Sequence, residues 1–376
     1  MADVEMGSIR ITSLGLGTVR YDNGRAPIRF GSTIFRYAAI VATVRCSDGT
    51  VGTGIGWTQL EDEQTYLKAV HPELTASIVG LDALLPFLSS QACRTEADRM
   101  GAGRVSAAIE LALWDLAGRV LDVPTYQLLG CKRKSLPTYV ISAEDFFVKS
   151  ASQYVDLAHR YAADGFRAAK FHMWGDPDRD MAACRDVRKA VGDDFALMLD
   201  PAGRYNRVDA LRVGQAIEGL GFVRFEDPLP PTDAAGYRWL ATRLSVPILT
   251  NESLQWNPEQ CAVAARTGIV QGFRLNVGRT GIGEALHFSA IAEANGVELD
   301  IAAFVPRGGL EACLHVALAL SATRWFEHHE ALDLENIPGI SPGYVIKNGI
   351  TEPLKGAGLG FDVDWPTLDR HCKWVS

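Results

Sequence analysis

Four short runs between residues 170 and 252 hold the side chains best suited to chemistry. They are AKFHMWG around Lys170 and His172, LMLDPAG around Asp200, VRFEDPLP around Glu226 and PILTNES around Glu252. The polar residues stand at or near the ends of short apolar runs of strand character, and stretches with helical spacing follow. Asp200, Glu226 and Glu252 fall at intervals of 26 residues, the length of a strand, a loop, a helix and a return loop. Carboxylates one βα unit apart stand at the same end of neighbouring parallel strands, where their oxygens can converge on one hard cation of the magnesium type. Residues two apart in a strand share a face, so Lys170 and His172 both point inward beside that site. A pair satisfied by structural hydrogen bonds is the plainer account of these two; their position one unit before an evenly spaced acidic trio favours function.

Such a site suits removal of a proton from carbon next to a carboxylate. A divalent cation offsets the charge that builds on the carboxylate oxygens, worth several kcal/mol in general. A positioned base adds ~10²- to 10⁴-fold. His172 has an ordinary pKa near ~6.5, and Lys170 and the cation would both tend to keep it neutral. Lys170 either binds the substrate carboxylate as a cation or serves as base itself; the residues alone leave both open.

The elements that must position these groups follow from the alternation after Lys134. Strand candidates lie at 137–142, 167–173, 195–200, 222–227, 246–251, 272–276, 297–303 and 324–328, separated by helical stretches such as SQYVDLAHRYAADG and GIGEALHFSAIAEANG. Eight strands with seven intervening helices predict an α/β fold, a (β/α)8-type TIM barrel whose last helix is missing or altered. Upstream, residues 8–57 read as strands, with a hairpin signal at Asp48-Gly49. SAAIELALWDLAGRVL then places Ala108, Leu111, Ala112 and Leu116 on one apolar helical face, with Trp114 in the core. The loop VRYDNGRAPIRFGS, with Arg20, Tyr21, Arg25 and Arg29, is either a lid over an anionic substrate or a solvated surface loop. Together with the segment near Trp57 it would shape the substrate pocket. The final stretch, rich in Pro and Gly, reads as an irregular tail packing back on the first domain. The domains expected are 1–130, 131–335 and the returning segment 336–376.

Length and charge narrow the class. A chain of 376 residues suits one barrel plus a smaller domain. A formal net charge of -8 argues against a nucleic-acid or anionic-membrane surface. The seven cysteines are scattered without a C-x-x-C pair, which favours a reducing, cytoplasmic setting over a disulfide framework. The N-terminus lacks the pattern of a signal peptide, and no apolar run is long enough to span a bilayer.

With these residues in view, the chain resembles the mandelate racemase branch of the enolase superfamily. The resemblance rests on GFRAAKFH, LMLDPAG, FEDP, the Glu252 position in TNES, IELALWDLAGRVLDVPTYQLLG and GAGLGF. It implies a modified barrel under an α+β capping domain built from both chain ends. It implies one Mg2+ per subunit on Asp200, Glu226 and Glu252, a small-molecule carboxylate substrate, and a homo-oligomer, dimer or octamer. Lys170 and His172 occupy the two positions of the family's K-x-K motif, the second of which normally supplies the lysine base. Glu327, in RWFEHH, matches the acid that in racemases hydrogen-bonds the substrate carboxylate.

Two departures change the expectation. Racemase-type members carry an Asp on the sixth strand and a His on the seventh, acting together on the opposite face of the substrate. Here Asn276 and Ala302 stand at those positions, and neither moves a proton at neutral pH. The sixth-strand lysine of the muconate-cycloisomerase branch is replaced by Asn276 as well. Chemistry on one face is then favoured: syn β-elimination of water from an acid sugar through an enediolate, a lyase (dehydratase) reaction. Cycloisomerisation of an acid-sugar lactone is the nearest alternative, and racemisation or epimerisation ranks lower. A catalytically lapsed barrel that kept its metal, or a Schiff-base aldolase using Lys170, are further readings. Asn276 would be a neutral substrate ligand. Arg307, just past the seventh strand, either binds a distal anionic group, donates to a leaving oxygen or is a plain surface residue.

Overall fold

The computed structural model describes residues 9–20, 29–30, 33–34, 38–58, 63–130, 133–142, 149–250, 258–330, 337–353 and 355–375. The chain opens with β1 (Ile11–Arg20), the short strands β2 (Arg29–Phe30) and β3 (Thr33–Ile34), then β4 (Ala38–Cys46) and β5 (Val51–Thr58). β4 and β5 form the hairpin that Asp48-Gly49 calls for. Gly49 takes a φ of 91° at the turn, and Asp48 Oδ1 accepts from Thr50 N at 2.8 Å.

Helices α1 (Glu63–Ile78), α2 (Pro86–Met100), α3 (Gly103–Val120) and α4 (Thr125–Leu128) follow. The apolar face expected on α3 is buried, and so is the rest of the helix from Val105 to Gly118, because α3 is wedged between the antiparallel sheet and the barrel. Close approach to β5 is possible because Gly52, Gly54 and Gly56 share one face of that strand. A Cβ on Gly54 would come 2.1 Å from Ala108 O. Glu110 on α3 accepts from Gly283 N at 2.6 Å, which ties this layer to a barrel helix.

The barrel consists of β6 (Leu136–Ser142), β7 (Ala168–Phe171), β8 (Ala196–Leu199), β9 (Arg224–Glu226), β10 (Ile248–Thr250), β11 (Gly272–Leu275), β12 (Glu298–Ile301) and β13 (Phe326–Glu330). The strands are parallel, neighbours in sequence are neighbours in space, and β13 closes the ring on β6. Each observed boundary lies within two residues of that expected from the sequence. The outer helices are α5 (Ala151–Ala163), α6 (Pro177–Val191), α7 (Arg207–Gly219), α8 (Ala234–Ala241), α9 (Pro258–Arg266), the single turn α10 (Val277–Thr280), α11 (Ile282–Asn295) and α12 (Gly309–Ala319). Ser150, Asp176, Asn206 and Asp233 cap α5 to α8 by accepting backbone N–H bonds in the first turn.

The last stretch is more regular than its composition suggests. β14 (Tyr344–Lys347) and β15 (Ile350–Pro353) form a hairpin through Asn348-Gly349, both in the left-handed region, and β15 pairs with the start of β6. An Asn-Gly pair is the residue choice for such a turn; Pro342 precedes the hairpin and Pro353 ends it. α13 (Trp365–His371) leads to β16 (Lys373–Trp374), which pairs with β1. No helix among the described residues is long and apolar enough to cross a membrane.

Candidate active site

β7 carries Lys170 in register with Ile141 on one side and Met198 on the other, and turns it into the barrel. Its Nζ lies 2.9 Å from Glu226 Oε2, 3.8 Å from Asp200 Oδ2 and 3.9 Å from Glu327 Oε2. His172 Nε2 lies 2.9 Å from Asp200 Oδ2. Four residues chosen from spacing alone therefore meet: Lys170, His172, Asp200 and Glu226, contributed by three adjacent strands and the loops at their C-terminal ends. Glu252 and Tyr21 lie outside the described residues.

A polar layer supports this group from within the barrel. Arg274 Nη1 donates to Glu226 Oε2 at 3.0 Å and to the Tyr139 hydroxyl at 3.0 Å, and its Nη2 bonds Glu327. Tyr139 donates to Glu327 Oε2 and Asp300 Oδ2 at 2.6 and 2.9 Å. Arg224 pairs with Glu298 at 2.5 Å and Asp300 at 3.0 Å. Three cations (Lys170, Arg224, Arg274) thus face five acids (Asp200, Glu226, Glu298, Asp300, Glu327), a surplus of two negative charges if all are ionised.

Burial and the neighbouring charges decide together where protons are favoured. Burial pushes the Glu226 carboxyl up, and Arg274 and Lys170 offset this only in part. Burial acts the same way on Asp200, but His172 and Lys170 outweigh it and hold Asp200 below the usual carboxylate range. Burial lowers His172, with Asp200 pulling the other way. In this pair His172 Nε2 faces Asp200 Oδ2 at 2.9 Å, so Nδ1 is the ring nitrogen turned away from the carboxylate.

These residues fit a hard divalent cation. Among the described residues, Glu226 Oε1 is buried without a hydrogen-bond partner, as is Thr250 Oγ1 at the end of β10. An all-oxygen donor set inside a network with more acids than cations suits Mg2+ or Ca2+ better than a softer metal. Asp200 and Glu226 would hold it.

The other sequence candidates are distributed around this centre. Asn276 ends β11, donates from Nδ2 to Phe304 O at 2.8 Å, and keeps a buried Oδ1 without a partner. Ala302 is buried just past β12, so that position offers no proton-transfer group. Trp57 is 2 % exposed; Arg279 and Arg104 lie 4.0 and 5.2 Å from its ring, and Phe304 meets it edge-on. Arg307 is buried, which removes the surface reading. It donates to Glu311 at 3.1 Å and lies 5.9 Å from the Tyr344 ring, where α12 meets the tail.

Glu327 differs from expectation in its surroundings. Burial pushes it up, but Arg274, Lys170 and His329 outweigh this and hold it well below the carboxylate range. Both of its oxygens are engaged by the protein. One oxygen takes Tyr139 and Arg274, and the other takes His329 Nε2. His329 is a site residue that sequence reasoning missed. It follows Glu327 by two along β13, so it shares the inward face, and that spacing was the available signal.

A parallel eight-stranded barrel with acids converging at its mouth, below an antiparallel cap closed by the C-terminal strand, defines a two-domain barrel of the enolase type. Residues 153–367 match the enolase C-terminal domain-like family, and residues 17–130 match the N-terminal domain of mandelate racemase / muconate lactonizing enzyme. The chain belongs to this mandelate racemase/muconate lactonizing enzyme family of the enolase superfamily.

Its relatives catalyse different overall reactions. The chain is 27% identical over 329 residues to an L-Lys-D/L-Arg epimerase of Methylococcus capsulatus, covering 85% of this chain and 90% of that one. It is 28% identical over 333 residues to the L-talarate/galactarate dehydratase of Salmonella typhimurium, covering 86% and 80%. In fold it superposes with TM-score 0.83 on a variant of L-talarate/galactarate dehydratase liganded with Mg and L-glucarate, at 22% identity and covering 99% and 95% of the two chains.

Proposed function

We propose that this protein removes the proton α to the carboxylate of a sugar-derived acid in a magnesium-dependent reaction and eliminates the β-hydroxyl as water. The observation that carries the proposal is the grouping of Lys170 and His172 with the carboxylates of Asp200 and Glu226, in a network with more acids than cations. When bound, the divalent ion offsets the negative charge developing on the substrate carboxylate.

The chain's own residues supply the rest. His172, neutral and oriented by Asp200, takes the α-proton on Nδ1. The Lys170 ammonium, anchored 2.9 Å from Glu226, binds a substrate carboxylate oxygen. The C–H electron pair forms the double bond of the intermediate and then expels the β-oxygen, which recovers the proton from His172 and leaves as water. The enol left behind tautomerises to an α-keto acid. The partner-free Oδ1 of Asn276 accepts from a substrate hydroxyl. Phe304 and Trp57, in edge contact, wall this side of the pocket from water.

The test is a panel of acid sugars and their lactones incubated with Mg2+ in deuterated water. The expected result is α-keto acid from at least one acid sugar, abolished by chelation, with α-deuterium uptake lost in His172→Ala. Deuterium uptake without keto acid would replace dehydration by epimerisation or cycloisomerisation. Uptake that persists in His172→Ala and stops in Lys170→Met would move the base to Lys170.

A further inference from the structure

Resting on the α-proton chemistry above, we propose that His329, held by Glu327, is a second base of the site, so that the protein removes the α-proton from acid sugars of either configuration at that carbon. Asn276 and Ala302 leave β11 and β12 without a proton-transfer group at their ends. The next strand supplies one. Glu327 and His329 project from the inward face of β13, and His329 Nε2 bonds Glu327 Oε1. Glu327 Oε2 lies 3.9 Å from Lys170 Nζ, so one carboxylate joins the two sides of the site.

Position and protonation both fit this role. Strand register runs from His329 to Ile141 and from Ile141 to Lys170. The imidazole and the ammonium therefore rise from one row of the barrel wall, two strand spacings or about 10 Å apart at the backbone. His172 thus comes to the barrel mouth from the end of β7 and His329 from β13, two strands of the eight-stranded ring away. With Glu327 Oε1 accepting from Nε2, the imidazole carries its lone pair on Nδ1. That Nδ1 is buried without a hydrogen-bond partner among the described residues, on a side chain 6 % exposed. The Phe304 ring, 5.2 Å away and edge-on, limits rotation of the imidazole. A buried basic nitrogen, oriented by a carboxylate and without a partner among the described residues, is arranged to meet a ligand. In the step, the α-C–H bond breaks, its proton goes to Nδ1 of His329, and its electrons delocalise into the substrate carboxylate. Return of a solvent-derived proton restores the C–H bond.

Glu327 is a positioning residue in this scheme. It fixes the tautomer and orientation of His329, and it does not meet the substrate.

The experiment uses C2-epimeric aldonates and aldarates, such as D-gluconate with D-mannonate, with Mg2+ in deuterated water. α-Deuterium uptake into each epimer is followed by proton NMR for wild type, His172→Ala, His329→Asn and Glu327→Gln. Wild type should exchange both members of a pair. His172→Ala should lose exchange from one epimer and His329→Asn from the other, each by at least about 10²-fold. Glu327→Gln should slow only the His329-dependent epimer, by at least about tenfold. Loss confined to one epimer is an outcome that general damage to the fold would not produce. Exchange of both epimers by His329→Asn at rates close to wild type overturns the inference, as does equal loss of both. Wild type exchanging a single epimer overturns it too. Wild type exchanging neither overturns the α-proton reading of the whole site, whereas exchange without keto acid removes the dehydration alone.

Discussion

Glu226 accepts hydrogen bonds from two buried cations on Oε2 and has no partner on Oε1 among the described residues. A cation that binds the folded state alone stabilises it by mass action, so Mg2+ should raise the wild-type Tm by several degrees. In Glu226→Gln that rise should shrink to near zero and turnover should be lost, with the far-UV circular dichroism unchanged. A Tm that responds to Mg2+ equally in both proteins would remove Glu226 from the ligand set. At this scale the sequence was informative where one rule sufficed. Even spacing and the two-residue repeat of a strand brought Lys170, His172, Asp200 and Glu226 together. The same repeat joins Glu327 to His329. The resemblance had already given Glu327 a substrate-binding role, and its partners Arg274 and Tyr139 come from strands that spacing does not pair with it.

Single elements carry two further predictions. β5 lies against α3 with backbone nearly touching backbone, and Gly54 has no room for a methyl group beside Ala108 O and Ala112 N. Gly54→Ala should therefore cost about 2 kcal/mol or more, read as a lower urea midpoint at unchanged slope. On α12, His315 is buried, its Nδ1 accepts from Tyr126 N at 3.0 Å, and burial pushes its pKa down to about 3 from 6.5. The unfolded chain then takes up a proton that the folded chain refuses. The contribution is complete above pH 6.5 and is lost as pH falls toward 3, at about 2 kcal/mol between pH 6.5 and 5. His328, lowered to about 4 by burial, acts in the same direction. His315→Asn keeps an acceptor for Tyr126 and should flatten the fall in Tm between pH 7 and 5; an unchanged slope would show that His315 is protonated in the folded protein. The Asp48-Gly49 turn was legible because it is a local choice of residue; the Asn348-Gly349 turn is as local, but the surrounding Pro and Gly made the tail read as irregular. The all-round burial of α3 was not legible, since its apolar face matches that of an ordinary surface helix until both neighbours are in place.

For the molecule as a whole, Asp115 is the joint. Fully buried on α3, it accepts from Thr53 N at 2.8 Å in the cap sheet, from Leu359 N at 2.7 Å in the tail and from Arg119 at 2.6 Å. Asp115→Ala would strand two buried N–H groups and a cation at once, and should cost about 3 kcal/mol. Limited proteolysis should then cut the tail ahead of the barrel; simultaneous loss of both would show that the tail's attachment does not run through Asp115. By itself the sequence determined the alternation of strand and helix, the ends of the eight strands and hence which residues reach the barrel mouth, because periodicity and turn chemistry act over a few residues. Only the tertiary structure decided which of those residues touch. Closure of β13 on β6 sets Tyr139 against Glu327, 188 residues away, and the ring as a whole confines five acids with three cations. No local pattern encodes that balance of charge, because it is a property of the enclosed space.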